Sequence, residues 1–378
     1  MVPTVISRPG FLRSLTSIAA ALLVAALLLG LSGYNVATAF GTLWSGATGL
    51  IAGPAQGSQQ VPLGPVHLDL FQLAQTLTQF IPLLLCGLAV AVGLQAGLFN
   101  IGGQGQFIAG AVTAAAVGIA WPTLPTIVHL PIALLAGTLA GAVWGGLAGF
   151  LKAWRQVNEV VSTIMLNYVA DNIANYLITH SLKDPHNQAP QTAAVSASAT
   201  LPMLVGHTNL SIGLFLALLT VPALGFLVKR TALGFRIRAV GLNSKAARVA
   251  GLPVKQTQVI TMALSGALAG LAGTIQVLGA QHRYFPNLAG TYGFDGIAVA
   301  LLAGIDSTSV FYSALFFGAL TGGAGYMQDQ TNIPDSIGRI IQAIIILFVG
   351  MRFLFYRRKR AQIPTHPETT PVQDSTVP

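Results

Sequence analysis

Carboxyl and amide side chains set among apolar residues are the groups in this chain that could do chemistry. Glu159, Thr163, Asn167, Asp171 and Asn175 recur at intervals of four. On a helix that spacing makes a polar ridge winding slowly along one face. Glu159 and Asp171 would be costly against lipid, so the ridge must face a bundle interior or a water-filled cavity. The chemistry implied is passage of a polar solute or ion. Asn158 is placed to cap the start of this helix, which puts Glu159 in the first turn, where its charge favours the helix dipole. For Asn167 and Asp171 two readings stand, lining a path or hydrogen bonding between helices. Asp295 is the other acid in an apolar run, and Asp171 with Asp295 makes neither a proton relay nor a two-acid catalytic pair.

A second constellation is Gly97-Leu98-Phe99-Asn100-Ile101-Gly102-Gly103-Gln104-Gly105-Gln106. Glycine-rich backbone at membrane depth is tolerated only where protein buries it or it lines a cavity. A broken helix here would aim N–H groups, with Asn100, Gln104 and Gln106, at a polar substrate. A tight turn at the membrane surface fits the residues equally well. Small residues form a third pattern. Gly137, Gly141, Gly145 and Gly149 make a groove along one helix face, and Gly266 and Gly270 repeat it briefly. Such grooves let two backbones pack closely.

Enzymatic chemistry has little to stand on. There is no G-x-x-x-x-G-K-[ST] loop to cradle ATP phosphates and no H-E-x-x-H metal motif. The histidines are scattered toward loops, so no metal site is expected. The one cysteine, Cys86, lies in an apolar run and allows no intrachain disulfide.

The elements that must position these residues are membrane helices. Hydrophobic residues make up 53% of the 378 and charged residues 8%, against roughly a quarter charged in ordinary globular domains. No Asp, Glu, Lys or Arg occurs from Ser14 to Leu68 or from Leu70 to Leu151. Both stretches exceed the roughly 20 apolar residues that span a bilayer. The expected fold class is therefore all-α, a polytopic transmembrane bundle of about ten spans. They fall at 19–31, 69–94, 105–121, 127–151, 159–180, 210–228, 257–280, 293–305, 310–327 and 336–354. The first span also resembles a signal peptide, with Ala37-Thr38-Ala39 as a cleavage site, but a retained helix is the better reading because the chain downstream is itself a membrane protein.

Charge placement orients the spans. With both termini cytoplasmic, the inner side holds every Lys and Arg of the 19 except Lys183, Arg283 and Arg339. The net charge of +9 is thus a topology signal, and no basic face interleaved with aromatics suggests nucleic acid. Residues 1–15 form a cytoplasmic N-terminus and 16–356 the membrane domain. Within it, 182–208 is an extracytoplasmic loop and 229–256 a basic cytoplasmic loop. Residues 357–378 lack apolar periodicity and read as a disordered tail.

Three segments together resemble the permease subunits of bacterial ABC importers of the branched-chain amino acid and simple-sugar type, most closely the nucleoside branch. The Gly97–Gln106 segment is similar to that branch's G-L-F-N-I-G-x-E-G-Q, with Gln104 where the pattern has Glu. The second is Val157-Asn158-Glu159-Val160-Val161 through Met165-Leu166-Asn167-Tyr168. The third runs from Thr231 through Gly241, Asn243, Ala246-Ala247-Arg248 and Gly251 into Ser265-Gly266-Ala267-Leu268-Ala269-Gly270. Gly293-Phe294-Asp295-Gly296 extends the likeness, which covers roughly 70–350.

The resemblance implies a non-catalytic permease in the bacterial plasma membrane, carrying a small polar solute of the nucleoside class. ATP and Mg would be bound by a separate ATPase chain, with no cofactor on this one. Arg236, Arg238, Gly241, Asn243, Ala246, Ala247, Arg248 and Gly251 would form a coupling helix docking on that ATPase. A second, related permease and an extracytoplasmic substrate-binding protein are further implied partners. An ion-driven secondary transporter, a simple-sugar permease and an intramembrane enzyme are the competing expectations.

Overall fold

The computed structural model describes residues 8–53, 59–304, 306–331, 333–334, 336–344 and 347. The helices are α1 (Arg8–Leu31) and α2 (Val36–Thr48), then α3 (Leu70–Gln95), α4 (Gly103–Ala120), α5 (Thr126–Arg155), α6 (Glu159–Thr179) and α7 (Gly213–Arg230). They continue as α8 (Ala232–Leu242), α9 (Ser244–Val249), α10 (Val254–Ile275), α11 (Tyr292–Ala303) and α12 (Ser307–Thr331). A π-helical turn, Gln276–Gln281, prolongs α10, and residues 336–344 are helical again.

Six helices are long and apolar enough to cross a membrane, namely α3, α4, α5, α7, α10 with its π turn, and α12. The 21-residue α6 is as long, but its polar ridge keeps it outside that set. With 12 residues, α11 reaches only about 18 Å, short of a hydrocarbon core of about 30 Å. The expected span 293–305 is therefore half a crossing by itself. The end of the span 336–354, with Arg352, Arg357, Arg358, Lys359, Arg360 and the tail 357–378, lies outside the described residues.

The all-α expectation needs one correction. Between α2 and α3 a small antiparallel sheet forms from β1 (Leu50–Ala52), β2 (Gln60–Leu63) and β3 (Val66–Asp69), in the order β1-β3-β2. Leu50 pairs with Leu68 and Leu63 with Val66. Asp69 ends the sheet and begins α3, its Oδ1 accepting from Phe71 N at 2.9 Å. One residue thus joins the end of the sheet to the start of the most buried helix.

The core is built on α3, α4, α5 and α10. The glycines of α5 meet those of α10 with no side chains between them. A side-chain carbon on Gly141 would stand 2.4 Å from the carbonyl oxygen of Gly266, and one on Gly266 would stand 2.2 Å from that of Gly141. Close packing accounts for the four-residue glycine spacing.

One end of the bundle gathers Lys152, Arg155, Lys229, Arg230 and the α8–α9 loop, and is called here the basic end. At the other end, 192–205 is stitched down rather than hanging free. Thr192 N donates to Tyr284 O at 2.9 Å, Val195 N to His282 O at 2.8 Å and Leu201 N to Leu278 O at 2.8 Å.

Candidate functional site

The Gly97–Gln106 segment starts at the basic end and finishes buried within the helical bundle. Gly97 lies against Gly241 of α8. Farther along, Asn167 Nδ2 donates to Ile101 O at 3.0 Å, and Gly105 N donates to Asn167 Oδ1 at 2.8 Å. Asn167 stands about 12 Å up α6 from Glu159, at 1.5 Å per residue. The segment therefore runs into the helical bundle, about two turns along α6 from Glu159.

Its amide groups are consumed by the fold. Asn100 Nδ2 donates to Gln106 Oε1 at 2.9 Å and to Ser265 Oγ at 2.7 Å, while its Oδ1 accepts from Gly102 N at 2.8 Å and Gln106 Nε2 at 3.2 Å. Ser265 Oγ passes the chain on to Ala89 O. Asn100 and Gln106 are both buried. Asn100 and Gln106 are thus engaged with partners inside the protein, as is the Gly105 N–H in the first turn of α4. A buried polar group left unpaired costs about 1–3 kcal/mol, and here each amide finds its partner in the protein. The network ties α3, α4 and α10 together where the chain has no helix of its own.

Gln104 does something different. Its Nε2 donates to Gly290 O at 2.8 Å and its Oε1 accepts from Gly293 N at 3.1 Å. Gly290 and Gly293 flank the start of α11, so the first turns of α4 and α11 meet through one amide. A carboxylate there could accept from Gly293 N but could not donate to Gly290 O. The departure from the family pattern thus has a structural counterpart.

Asp295 sits in the first turn of α11. Thr291 Oγ1 donates to its Oδ2 at 2.7 Å. Tyr292, the next residue after Thr291, donates its hydroxyl to Gln79 Oε1 of α3. Phe294 is part-exposed beside Asp295. Gln104 and the Thr291–Asp295 pair thus lie at the start of α11, with Phe294 exposed in the same turn. Thr291 and Asp295 lie four apart in the sequence, a signal that could have paired them.

The ridge on α6 is divided. Asn158 caps the helix, its Oδ1 accepting from Val160 N at 2.9 Å, and Glu159 pairs with Lys152 at 2.7 Å. Thr163 and Asn167 are buried, whereas Asp171 is half-buried and accepts from Asn175 Nδ2 at 3.1 Å. Gln104 and Asp295 both lie at the start of α11, whereas Asp171 lies one turn beyond Asn167 on α6. There, burial and then the Asp171 carboxylate push the Tyr284 phenol well above its ordinary value. Among the described residues no cluster of His, Cys, Asp and Glu could hold a metal.

A groove of about 320 Å³ lies between α4, α5 and α6, lined by residues such as Val112, Val143 and Ile173. It carries no charged group and is not where a polar solute would be recognised.

The basic end carries the remaining candidates. Thr231 caps α8, accepting from Gly234 N at 3.1 Å, and Asn243 caps α9, accepting from Lys245 N and Ala246 N at 3.0 Å. Arg236, Arg238, Ala246, Arg248 and Gly251 are exposed, with Phe235, Leu242 and Val249 among them. Ala247 is the exception. It is buried with Val240 and Val254, so it holds the two helices together rather than facing outward. Gly241 packs against the end of α3.

Residues 72–350 match the family described as branched-chain amino acid transport system / permease component. The chain belongs to this permease family. It is 36% identical to the guanosine ABC transporter permease protein NupP of Bacillus subtilis (strain 168), over 92% of this chain and 96% of the relative. It is 35% identical to the glucose ABC transporter permease protein TsgB13 of Haloferax volcanii, covering 78% and 79% of the two chains. With the nucleoside ABC transporter permease protein NupB of Lactococcus lactis subsp. cremoris it shares 34% over 75% and 80%. The chain is a multi-pass membrane permease subunit without catalytic function, and ATP is hydrolysed on a separate chain. Membership implies an ATPase and a substrate-binding protein as partners.

Proposed function

We propose that this permease carries nucleosides inward across a bacterial plasma membrane, beside a second, related permease subunit. The observation that carries the reading is the junction at Gln104. There one amide joins the starts of α4 and α11, and Gly97 at the foot of the same segment touches Gly241 of α8. The nucleoside-transporting names of NupP and NupB support the solute class.

In this reading the basic end is cytoplasmic, and α8 and α9 are the coupling helices. The segment 285–291 completes with α11 one of about ten crossings, and both termini lie in the cytoplasm. When the ATPase subunits close, α8 moves against Gly97 and shifts the start of α4. The Gln104 amide carries that shift to α11, opening the junction beside Asp295, Thr291 and Phe294. A carboxylate and a hydroxyl suit ribose hydroxyls, and an aromatic ring suits the face of a base. The chain lowers a conformational barrier and makes or breaks no bond. Residues 182–208 would face the binding protein.

TsgB13 favours a second solute, a simple sugar, which would use the same hydroxyl contacts. The test is uptake of labelled guanosine, uridine and glucose into vesicles holding the permeases, ATPase and binding protein. ATP-dependent nucleoside uptake that excess glucose does not inhibit is expected. Glucose uptake alone would replace the nucleoside assignment. Uptake that survives loss of the ATPase but collapses with an uncoupler would replace the ATP-driven one.

A further inference from the structure

A second link joins the basic loop to α11, at the opposite end from Gln104. Lys229 Nζ lies 2.6 Å from Asp306 Oδ1. We infer that Lys229 and Asp306 are positioning residues that carry movement of the α8–α9 loop to the C-terminal end of α11.

Both ends of the link are stiff. Lys229 is in the last turn of α7, and the corner into α8 has no slack. Thr231 Oγ1 donates to Leu227 O at 2.6 Å and accepts from Gly234 N at 3.1 Å. A side-chain carbon on Gly234 would stand 2.3 Å from the carbonyl oxygens of Leu227 and Val228. Movement of α8 therefore moves the end of α7 with it. Asp306 stands between α11 and α12, and its Oδ2 accepts from Thr308 N at 3.2 Å, capping α12. Burial alone would raise the Asp306 carboxyl. The Lys229 hydrogen bond and charge, with the amides of Thr308 and Ser309, outweigh it and hold the carboxyl below its ordinary value.

An exposed ion pair contributes roughly 0–1 kcal/mol to stability, so a purely structural role would be slight. What distinguishes this pair is its placement. The loop reaches the start of α11 through Gly97 and Gln104, and its far end through Lys229 and Asp306. Gripped at both ends, a half-length helix can be displaced as a unit, whereas a push at one end would tilt it. The link rests on the importer reading through the ATPase and is independent of which solute is carried.

Spin labels on cysteines introduced at the exposed Leu301 of α11 and Val143 of α5 test it, in the full complex with the ATPase. Cys86 is completely buried and out of reach of the label. Trapping with ATP and vanadate should change the label distance in the parent and in Lys229→Arg. The change should be at least halved in Lys229→Gln and in Asp306→Asn, which retains a capping oxygen, at comparable ATPase rates. Because no solute is needed, failure of the nucleoside assignment leaves this measurement intact. A full-sized change in both neutral variants, or none in the parent, overturns the inference.

Discussion

Gly97 and Gly241 touch backbone to backbone, so the exposed loop and the segment climbing into the bundle share one contact. A side-chain carbon on Gly97 would stand 3.5 Å from Gly241 Cα, and one on Gly241 would stand 2.0 Å from the carbonyl oxygen of Gln95. Gly241→Ala forces these backbones apart, and overpacking of that kind costs about 1–3 kcal/mol. A lower melting temperature and weaker ATP-dependent uptake are expected. Gly225→Ala is the control, since nothing lies within 4 Å of its new carbon. Equal melting temperatures for the two variants would show that the contact has room to spare.

Gln104 is predicted to need its amide. Gln104→Ala removes both bonds to the start of α11, and Gln104→Glu removes the one donated to Gly290 O. At about 1 kcal/mol per hydrogen bond, the alanine variant should lose more stability than the glutamate variant. Uptake should fall in both, because the starts of α4 and α11 no longer move together. Wild-type uptake by Gln104→Ala would remove the junction from the mechanism.

How much of this was legible beforehand differs by element. The glycine spacing of four announced the close face of α5, and Asn158 its role as a cap, because both depend on neighbours one helical turn away. The packing of the Gly97–Gln106 segment within the bundle was not legible. Its position is set by Asn167 and Ser265, and Ser265 is 165 residues from its partner Asn100. The small sheet and α2 went unread because an uncharged stretch gives no sign of where one element ends. Ala247 looked like a docking residue by its place in the loop motif, yet it packs inward. Lys229 looked like a topology marker, and its partner lies on a different turn.

The α5–α10 contact should tolerate nothing larger than glycine at its centre. Gly141→Leu places a branched side chain where a first carbon already stands 2.4 Å from the carbonyl oxygen of Gly266. Gly146 on the same helix meets only the Ala263 side chain, at 3.5 Å. Gly141→Leu is expected to abolish folded protein after detergent extraction, and Gly146→Ala to leave the yield unchanged. Size-exclusion profiles decide it, and a monodisperse Gly141→Leu peak would contradict the packing argument.

Acid should loosen the end of the molecule opposite the basic loop. Burial lowers the affinity of His282 for a proton, and a backbone hydrogen bond at Leu278 opposes this only in part. The unfolded chain therefore binds this proton more readily than the folded one. The contribution to stability is full above the ordinary histidine value of about 6.5 and is lost as pH falls through the lower folded value. The melting temperature should drop between pH 7.5 and 5.5. His282→Asn keeps a side chain that accepts the residue's left-handed backbone (φ +53) and should show a smaller drop. An equal drop in both proteins would assign the acid sensitivity to other groups.

Docking on the ATPase should depend on α9 through Val249 rather than Ala247. Val249 is 91% exposed and stands beside Arg248, so nothing in the fold explains an apolar side chain at that position. Fully burying a valine against a partner contributes about 1.5–3 kcal/mol, roughly tenfold or more in affinity. Val249→Asp is therefore expected to weaken ATPase binding by at least that factor while leaving the permease's melting temperature unchanged. Ala247→Glu should instead lower the melting temperature, because Ala247 packs with Val240 and Val254 in the loop's own small core. Titrating purified ATPase onto the solubilised permease separates the two effects. Undiminished binding by Val249→Asp would move the docking surface off α9 and onto α8, where Phe235 and Leu242 are the other exposed apolar side chains.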